Sequence, residues 1–189
     1  VYKRQGEFST IARRLCKLDY NCLAVDLRNG GKYDYVSNET ARLLREKRLE
    51  AGFHDIEKDV RAAIRYVQDK SDQPVILFGS GANGSLSLSA ALSDSSVRAV
   101  VALSPGEYFM PAIKIQETIS ALQKPVFITS SKAEYPYVSE LASGMEQKYV
   151  TLFEPKQVAG DRGTRSFSVD YEYNSEYWFA LMLFFKDLM

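Results

Sequence analysis

The sequence predicts a doubly wound α/β domain, mostly parallel in its sheet. From Pro74 onward, apolar runs alternate with helical patterns: "PVILFG", helix "NGSLSLSAALS", "VRAVVALS", helix "AIKIQETISALQ", "PVFITSS", helix "YVSELASGMEQ" and "YVTLFEP". The runs are apolar at successive residues rather than at every second one, as in strands buried on both faces. Helices between consecutive strands are the connections that parallel pairing needs. The chain closes on one more helix, "NSEYWFALMLFFKDL".

The first third is more helical. "FSTIARRLCKL" sets Phe8, Ile11, Leu15 and Leu18 at helical spacing, and Asp19-Tyr20-Asn21 then turns into the apolar run "CLAVDL", which predicts a strand. A polar loop from Arg28 to Thr40 holds Gly30 and Gly31. The stretch "NETARLLREKRLEAG" predicts an exposed helix ended by Gly52. In "DIEKDVRAAIRYVQDK", Ile56, Val60, Ala63, Ile64 and Val67 recur every three or four residues, with acids early and a lysine late, as the helix dipole favours.

Composition narrows the function classes. The 189 residues are 46% hydrophobic and 25% charged, and 24 Lys plus Arg balance 24 Asp plus Glu. No net field draws the chain to nucleic acid or to an anionic membrane. The apolar run "YWFALMLFF" is nine residues long, against about 20 for a bilayer, and predicts a buried helix. Cys16 and Cys22 are the only cysteines, too few for a zinc framework or a disulfide scaffold, and are expected as half-buried thiols. No metal or cofactor is expected. The chain opens on "VYKRQGEF", without an initiator Met or an apolar leader core. Residues 1–5 resemble a translated sequencing remnant and are set aside, leaving 6–189 as one expected domain with its true start missing. A cytoplasmic protein is the default expectation.

The stretch "LFGSGANGSLSLSAAL" carries the functional question, because Gly79 to Gly84 spell G-x-G-x-x-G between a strand and a helix. A dinucleotide site at such a loop needs an acid at the end of the next strand to hold the ribose. That strand ends in Ser104-Pro105, and Glu107 follows only after a proline and a glycine. The other strand-to-helix turn with this glycine pattern is the nucleophile elbow, G-x-Nuc-x-G, in which Gly79 is the first glycine and Gly81 falls at the nucleophile position.

The stretches "LAVDLRNGG", "NETA", "VILFGSGANGSLSL", "LSPGEYF", "KPVFITSSKAE" and "GDRGTRSF" before the last helix, together spanning roughly residues 8 to 188, resemble the α/β-hydrolase superfamily and its dienelactone-hydrolase-like members. The resemblance implies serine at the elbow, an acid after "PVFITSS" and histidine before the last helix. These fall on Gly81, on Glu134 (or on the adjacent Ala133, in a register one residue away) and on Arg162. Glycine supplies no nucleophile, and arginine stays protonated and accepts no proton. The resemblance further implies that Ala82 supplies one oxyanion amide. The second would come from a strand preceding Val1, so N-terminal strands are expected to be missing.

Other residues offer no replacement. His54, the only histidine, lies upstream of the elbow at a helix start, in the wrong chain order. Ser80 adjoins the elbow position but is turned away by one residue. Ser104 is expected to cap backbone before Pro105, and Lys132 to pair on the surface near Glu134. The sequence therefore predicts a pseudo-hydrolase whose pocket, lined by Ser80, Ala82 and Ser104, takes a small acidic or ester-like ligand, with Arg162 suited to a carboxylate. The alternatives are a carboxylic-ester or dienelactone-type hydrolase with an altered mechanism, and a dinucleotide-binding oxidoreductase.

Overall fold

A computed structural model describes residues 5–30, 37–156 and 158–188. Residues 1–4 of the segment set aside, and 31–36 of the polar loop, lie outside the described residues. The chain divides into two compact units between Asp72 and Gln73.

The first unit carries α1 (Gln5–Cys16), α2 (Glu39–Glu46) and α3 (Phe53–Gln68). Ile11 and Leu15 are buried on α1, while Leu18 lies exposed beyond its end. On α3 the buried side chains Phe53, Ile56, Val60 and Ile64 follow the predicted spacing. The predicted strand "CLAVDL" is not one: residues 21–27 have no ladder partner among the described residues. A strand is a paired state, and apolar composition alone does not provide the pair. Side chains hold the end of this segment instead. Asn38 Nδ2 donates to the Leu27 carbonyl at 2.7 Å while its Oδ1 caps α2 at Ala41 N–H. Arg28 makes a two-pronged contact with Asp59, at 2.9 and 2.6 Å. Helix α2 stops six residues before Gly52, because Arg48 turns into the left-handed region at φ 53 and the Leu49 N–H closes on the Leu44 carbonyl. Gly52 is instead the N-cap of α3. Both cysteines are exposed rather than half-buried.

The second unit holds β1 (Val75–Ser80), α4 (Ala82–Ala91), β2 (Val97–Leu103), α5 (Ile115–Ile119), β3 (Val126–Thr129), α6 (Tyr135–Ser143), β4 (Val150–Phe153) and α7 (Asn174–Leu188). Two 3-10 turns, Gln147–Tyr149 and Gly163–Phe167, join the later elements. The strands are parallel in the order β1-β2-β3-β4. With strand order following chain order, right-handed crossovers place α4, α5 and α6 on one face. Helix α7 covers the other, where Phe184 meets Phe127 and Tyr177 meets Phe153. Every residue of β3, and all of β2 except Arg98, is buried, as the continuous apolar runs predict.

Helix α5 is shorter than predicted. The Glu107 carboxylate accepts the Ile115 and Gln116 N–H groups at 2.7 and 2.8 Å and fixes its start. At its end, the Ser120 hydroxyl donates to the Glu117 carbonyl, a local bond that competes with helix continuation. Helix α7 buries Tyr177, Trp178, Leu181, Phe184, Phe185 and Leu188 but leaves Phe179 and Leu183 exposed. No helix among the described residues is long and apolar enough to cross a membrane.

The turn from β1 into α4 rests on two glycines for different reasons. A Cβ on Gly79 would sit 2.6 Å from the Asn83 carbonyl carbon and 2.7 Å from the Gly84 nitrogen, both backbone atoms that cannot move aside. Gly81 has φ 57 and ψ −129, yet an added Cβ would meet nothing within 4 Å, so an L-residue there bears backbone strain without a clash. Gly81→Ala is expected to cost about 1 to 3 kcal/mol from that strain, partly offset by the roughly 0.4 to 1 kcal/mol that alanine gains by restricting the unfolded chain. Gly79→Ala adds overpacking and is expected to be the more damaging. Urea midpoints of the two variants beside the parent protein give the order; a midpoint for Gly81→Ala at or above the parent's contradicts the strained turn.

Candidate functional site

The site is built where β1, β2 and β3 end. The Gly81 N–H donates to the Leu103 carbonyl at 2.8 Å, tying the turn to the last residue of β2. Ala82 is the first residue of α4, where N–H groups have no acceptor within the helix. Ser85 Oγ donates to the Gly106 carbonyl at 2.7 Å and accepts the Gly106 N–H at 2.9 Å, clamping the loop after β2 onto α4.

Glu134, the N-cap residue of α6, is the hub. Its Oε2 accepts the hydroxyls of Ser104 at 2.8 Å and Ser131 at 3.0 Å. Its Oε1 faces Arg162 Nε at 3.0 Å. The guanidinium also donates from Nη2 to the Tyr108 hydroxyl at 2.6 Å, and Tyr108 donates in turn to the Ser104 carbonyl at 3.2 Å. The hydrogen bond to Tyr108 and the electrostatic interaction with it, and to a smaller extent the charge of nearby Glu134, raise the Arg162 pKa above its ordinary value; the side chain is a fixed cation.

Ser104 lies at the centre of this network. Its φ of 48 is left-handed, a conformation that costs a serine energy and persists only where the surroundings dictate it. Its N–H donates to the Thr129 carbonyl at 2.7 Å, and its Oγ accepts the Gly163 N–H at 3.0 Å while donating to Glu134. The residue is 1% exposed. Gly163 also approaches Ser80 closely, so closely that a Cβ there would collide with the Ser80 hydroxyl.

Of the residues singled out from sequence, Glu134, Arg162 and Ser104 thus form one bonded cluster, while Gly81 is bonded to Leu103, the residue before Ser104. Glu134, not Ala133, makes the contacts. Lys132 does not pair with Glu134: its ammonium donates to the Lys156 carbonyl at 2.6 Å. Glu107 is committed to the start of α5. His54 belongs to the first unit, with its side chain 80% exposed and Nδ1 3.9 Å from Glu57. Tyr108, Ser131 and Gly163 take part without having been singled out; "LSPGEYF" and "ITSSKAE" held the first two, but the bonds join residues up to 59 apart. The arrangement offers a neutralised carboxylate, a partly exposed guanidinium and an open glycine turn. Arg162 is a permanent cation, and the Glu134 carboxylate is occupied by the hydroxyls of Ser104 and Ser131, the Ser131 N–H and the Arg162 guanidinium.

No protein-family model matches the chain, and no curated protein sequence matches it. Solved structures do. An esterase domain of a Rhodothermus marinus protein matches with a TM-score of 0.55 at 12% identity, over 70% of this chain and 67% of that one. A Pyrococcus furiosus esterase matches in two crystal forms. In one, the TM-score is 0.62 at 17% identity, over 95% of this chain and 73% of that one. In the other it is 0.54 at 13% identity, over 70% and 61%. The parallel sheet, the strand-to-helix turn at Gly81 and these likenesses together give the chain the α/β-hydrolase fold.

Proposed function

We propose that the protein is a non-catalytic member of the dienelactone-hydrolase-like group, one that holds a small acidic or ester-like ligand above the Gly81 turn. The observation that carries this reading is the 3.0 Å contact of Arg162 with Glu134. In the residue-by-residue correspondence implied by the resemblance, these two positions belong to the base and its acid. A guanidinium there satisfies the acid and returns nothing, since it neither gives up nor takes a proton in the working range. Gly81 provides the complementary half of the argument, an elbow without a side chain. The Arg162 side chain is 61% exposed, and the N–H groups not committed to Glu134 and Tyr108 suit a carboxylate.

A second reading, hydrolysis by an altered mechanism, has one observation in its favour: the 2.8 Å bond from Ser104 to Glu134 looks like a serine-acid pair. Against it, the Ser104 hydroxyl is buried and also receives the Gly163 N–H. Ser104→Ala distinguishes the two. As a structural residue, Ser104 leaves a buried N–H unpartnered when truncated, at a cost of about 1 to 3 kcal/mol, with no change in ester turnover over background. Loss of a measurable turnover in a variant that still folds would favour the second reading.

Two further outcomes are expected. The parent protein should turn over no p-nitrophenyl acetate and take no label from a fluorophosphonate probe, and Gly81→Ser alone should remain unlabelled because serine without a base is a weak nucleophile. Gly81→Ser with Arg162→His is the smallest change that restores both groups, and labelling is expected only there. Robust esterase activity in the purified parent overturns the non-catalytic reading. Short carboxylates should raise the melting temperature of the parent, by mass action on the native state, and Arg162→Gln should abolish that shift. A shift produced by nicotinamide dinucleotides instead would point to the oxidoreductase alternative.

A further inference from the structure

The chain's two cysteines come together at the end of α1. The helix ends at Cys16, and Asp19 adopts the left-handed region at φ 64. The Tyr20 N–H returns to the Leu15 carbonyl at 3.2 Å. A left-handed residue just past the last turn reverses the chain. Cys22 is thereby carried back along α1: its Sγ lies 3.8 Å from the carbonyl of Ala12, the carbonyl one helical turn before Cys16 that points toward it along the helix axis. Both residues are exposed, although the Cys22 sulfur is turned in against the helix.

We propose that Cys16 and Cys22 form a reversible redox modification site, closed to an intramolecular disulfide by exchange with a low-molecular-weight disulfide such as glutathione disulfide. The Cys16 thiolate attacks one sulfur of the small disulfide and expels a glutathione thiolate, leaving a mixed disulfide on Cys16. Cys22 then loses its proton to solvent, attacks the Cys16 sulfur and expels the second glutathione thiolate. Two protein thiols are oxidised and one small disulfide is reduced to two thiols.

The environment sets the order. Desolvation of the Cys22 sulfur where it packs against α1, and then the neighbouring Cys16, push the Cys22 thiol up to about 12, so Cys22 stays protonated before Cys16 reacts. A Cys16 sulfur held in the mixed disulfide is neutral, so it no longer opposes ionisation of Cys22. The bond would act as a clip. Residues 21–27 have no ladder among the described residues, and the contacts of Asn38 with Leu27 and of Arg28 with Asp59 hold their far end. A Cys16–Cys22 bond ties down the near end.

The test incubates the reduced full chain with excess glutathione disulfide, traps free thiols by alkylation, and reads intact mass and peptide maps. The expected product is lighter by two hydrogens, retains no glutathione, yields a peptide linking Cys16 to Cys22, and reverts with dithiothreitol. Cys22→Ser should stop at glutathione on Cys16. Cys16→Ser should react several-fold more slowly, because the remaining thiol is the one packed against the helix. In the oxidised parent, amide exchange across 21–27 should slow. A stable glutathione adduct on the parent, unmodified thiols, a disulfide between two chains, or unchanged exchange across 21–27 would each overturn the proposal.

Discussion

The Glu134 carboxylate joins stretches of chain that lie far apart in sequence: Ser104 at the end of β2, Ser131 just before α6, and Arg162 ahead of the Gly163–Phe167 turn. A carboxylate partly withdrawn from water needs donors for its lone pairs, and charge-assisted bonds supply them more effectively than neutral ones. Here two hydroxyls and a guanidinium converge on the two oxygens. Because Arg162 is largely exposed, its ion pair adds little to stability. Its consequence is positional, since it fixes the Arg162 guanidinium beside the ends of β2 and β3.

The backbone around this hub is as constrained as the side chains. Gly79 lets the end of β1 come within contact of the first turn of α4, and Gly81 takes a positive φ in open space. Ser104, next to them at the end of β2, takes a positive φ with a side chain present. That strain is sustained by its bonds to Thr129, Glu134 and Gly163. Two neighbouring strand ends therefore carry unusual backbone in different ways: Gly81 has no side chain to strain, and Ser104 has one that two partners, Glu134 and Gly163, hold in place.

The parallel sheet was legible because burial on both faces leaves continuous apolar runs, and α3 and α7 were legible from apolar spacing and length. The segment "CLAVDL" was not, since pairing depends on a neighbour and not on the run itself. The ends of α2 and α5 depended on a left-handed turn at Arg48, on the distant Glu107 carboxylate and on the Ser120 hydroxyl, none of which leaves a periodic mark. At the site, Gly81, Glu134 and Arg162 were nominated by the resemblance, and the structure brings Glu134 and Arg162 into contact. Tyr108 and Ser131 could not. Their parts are defined by bonds across the fold, as in the reach of Arg162 to Tyr108 over 54 residues.

On the proposed correspondence, Gly81 and Arg162 make physical sense as a pair. A serine at residue 81 would bear the strain of φ 57 for an hydroxyl that nothing nearby could deprotonate, because Arg162 holds its proton and Glu134 is already bound. Conversely, a histidine at residue 162 facing a glycine elbow would have no hydroxyl to act on. On that reading, each residue removes the reason for a catalytic side chain at the other position. Glycine leaves the turn at φ 57 without side-chain strain, and arginine anchors the loop before Gly163 through Glu134 and Tyr108 while keeping its own proton.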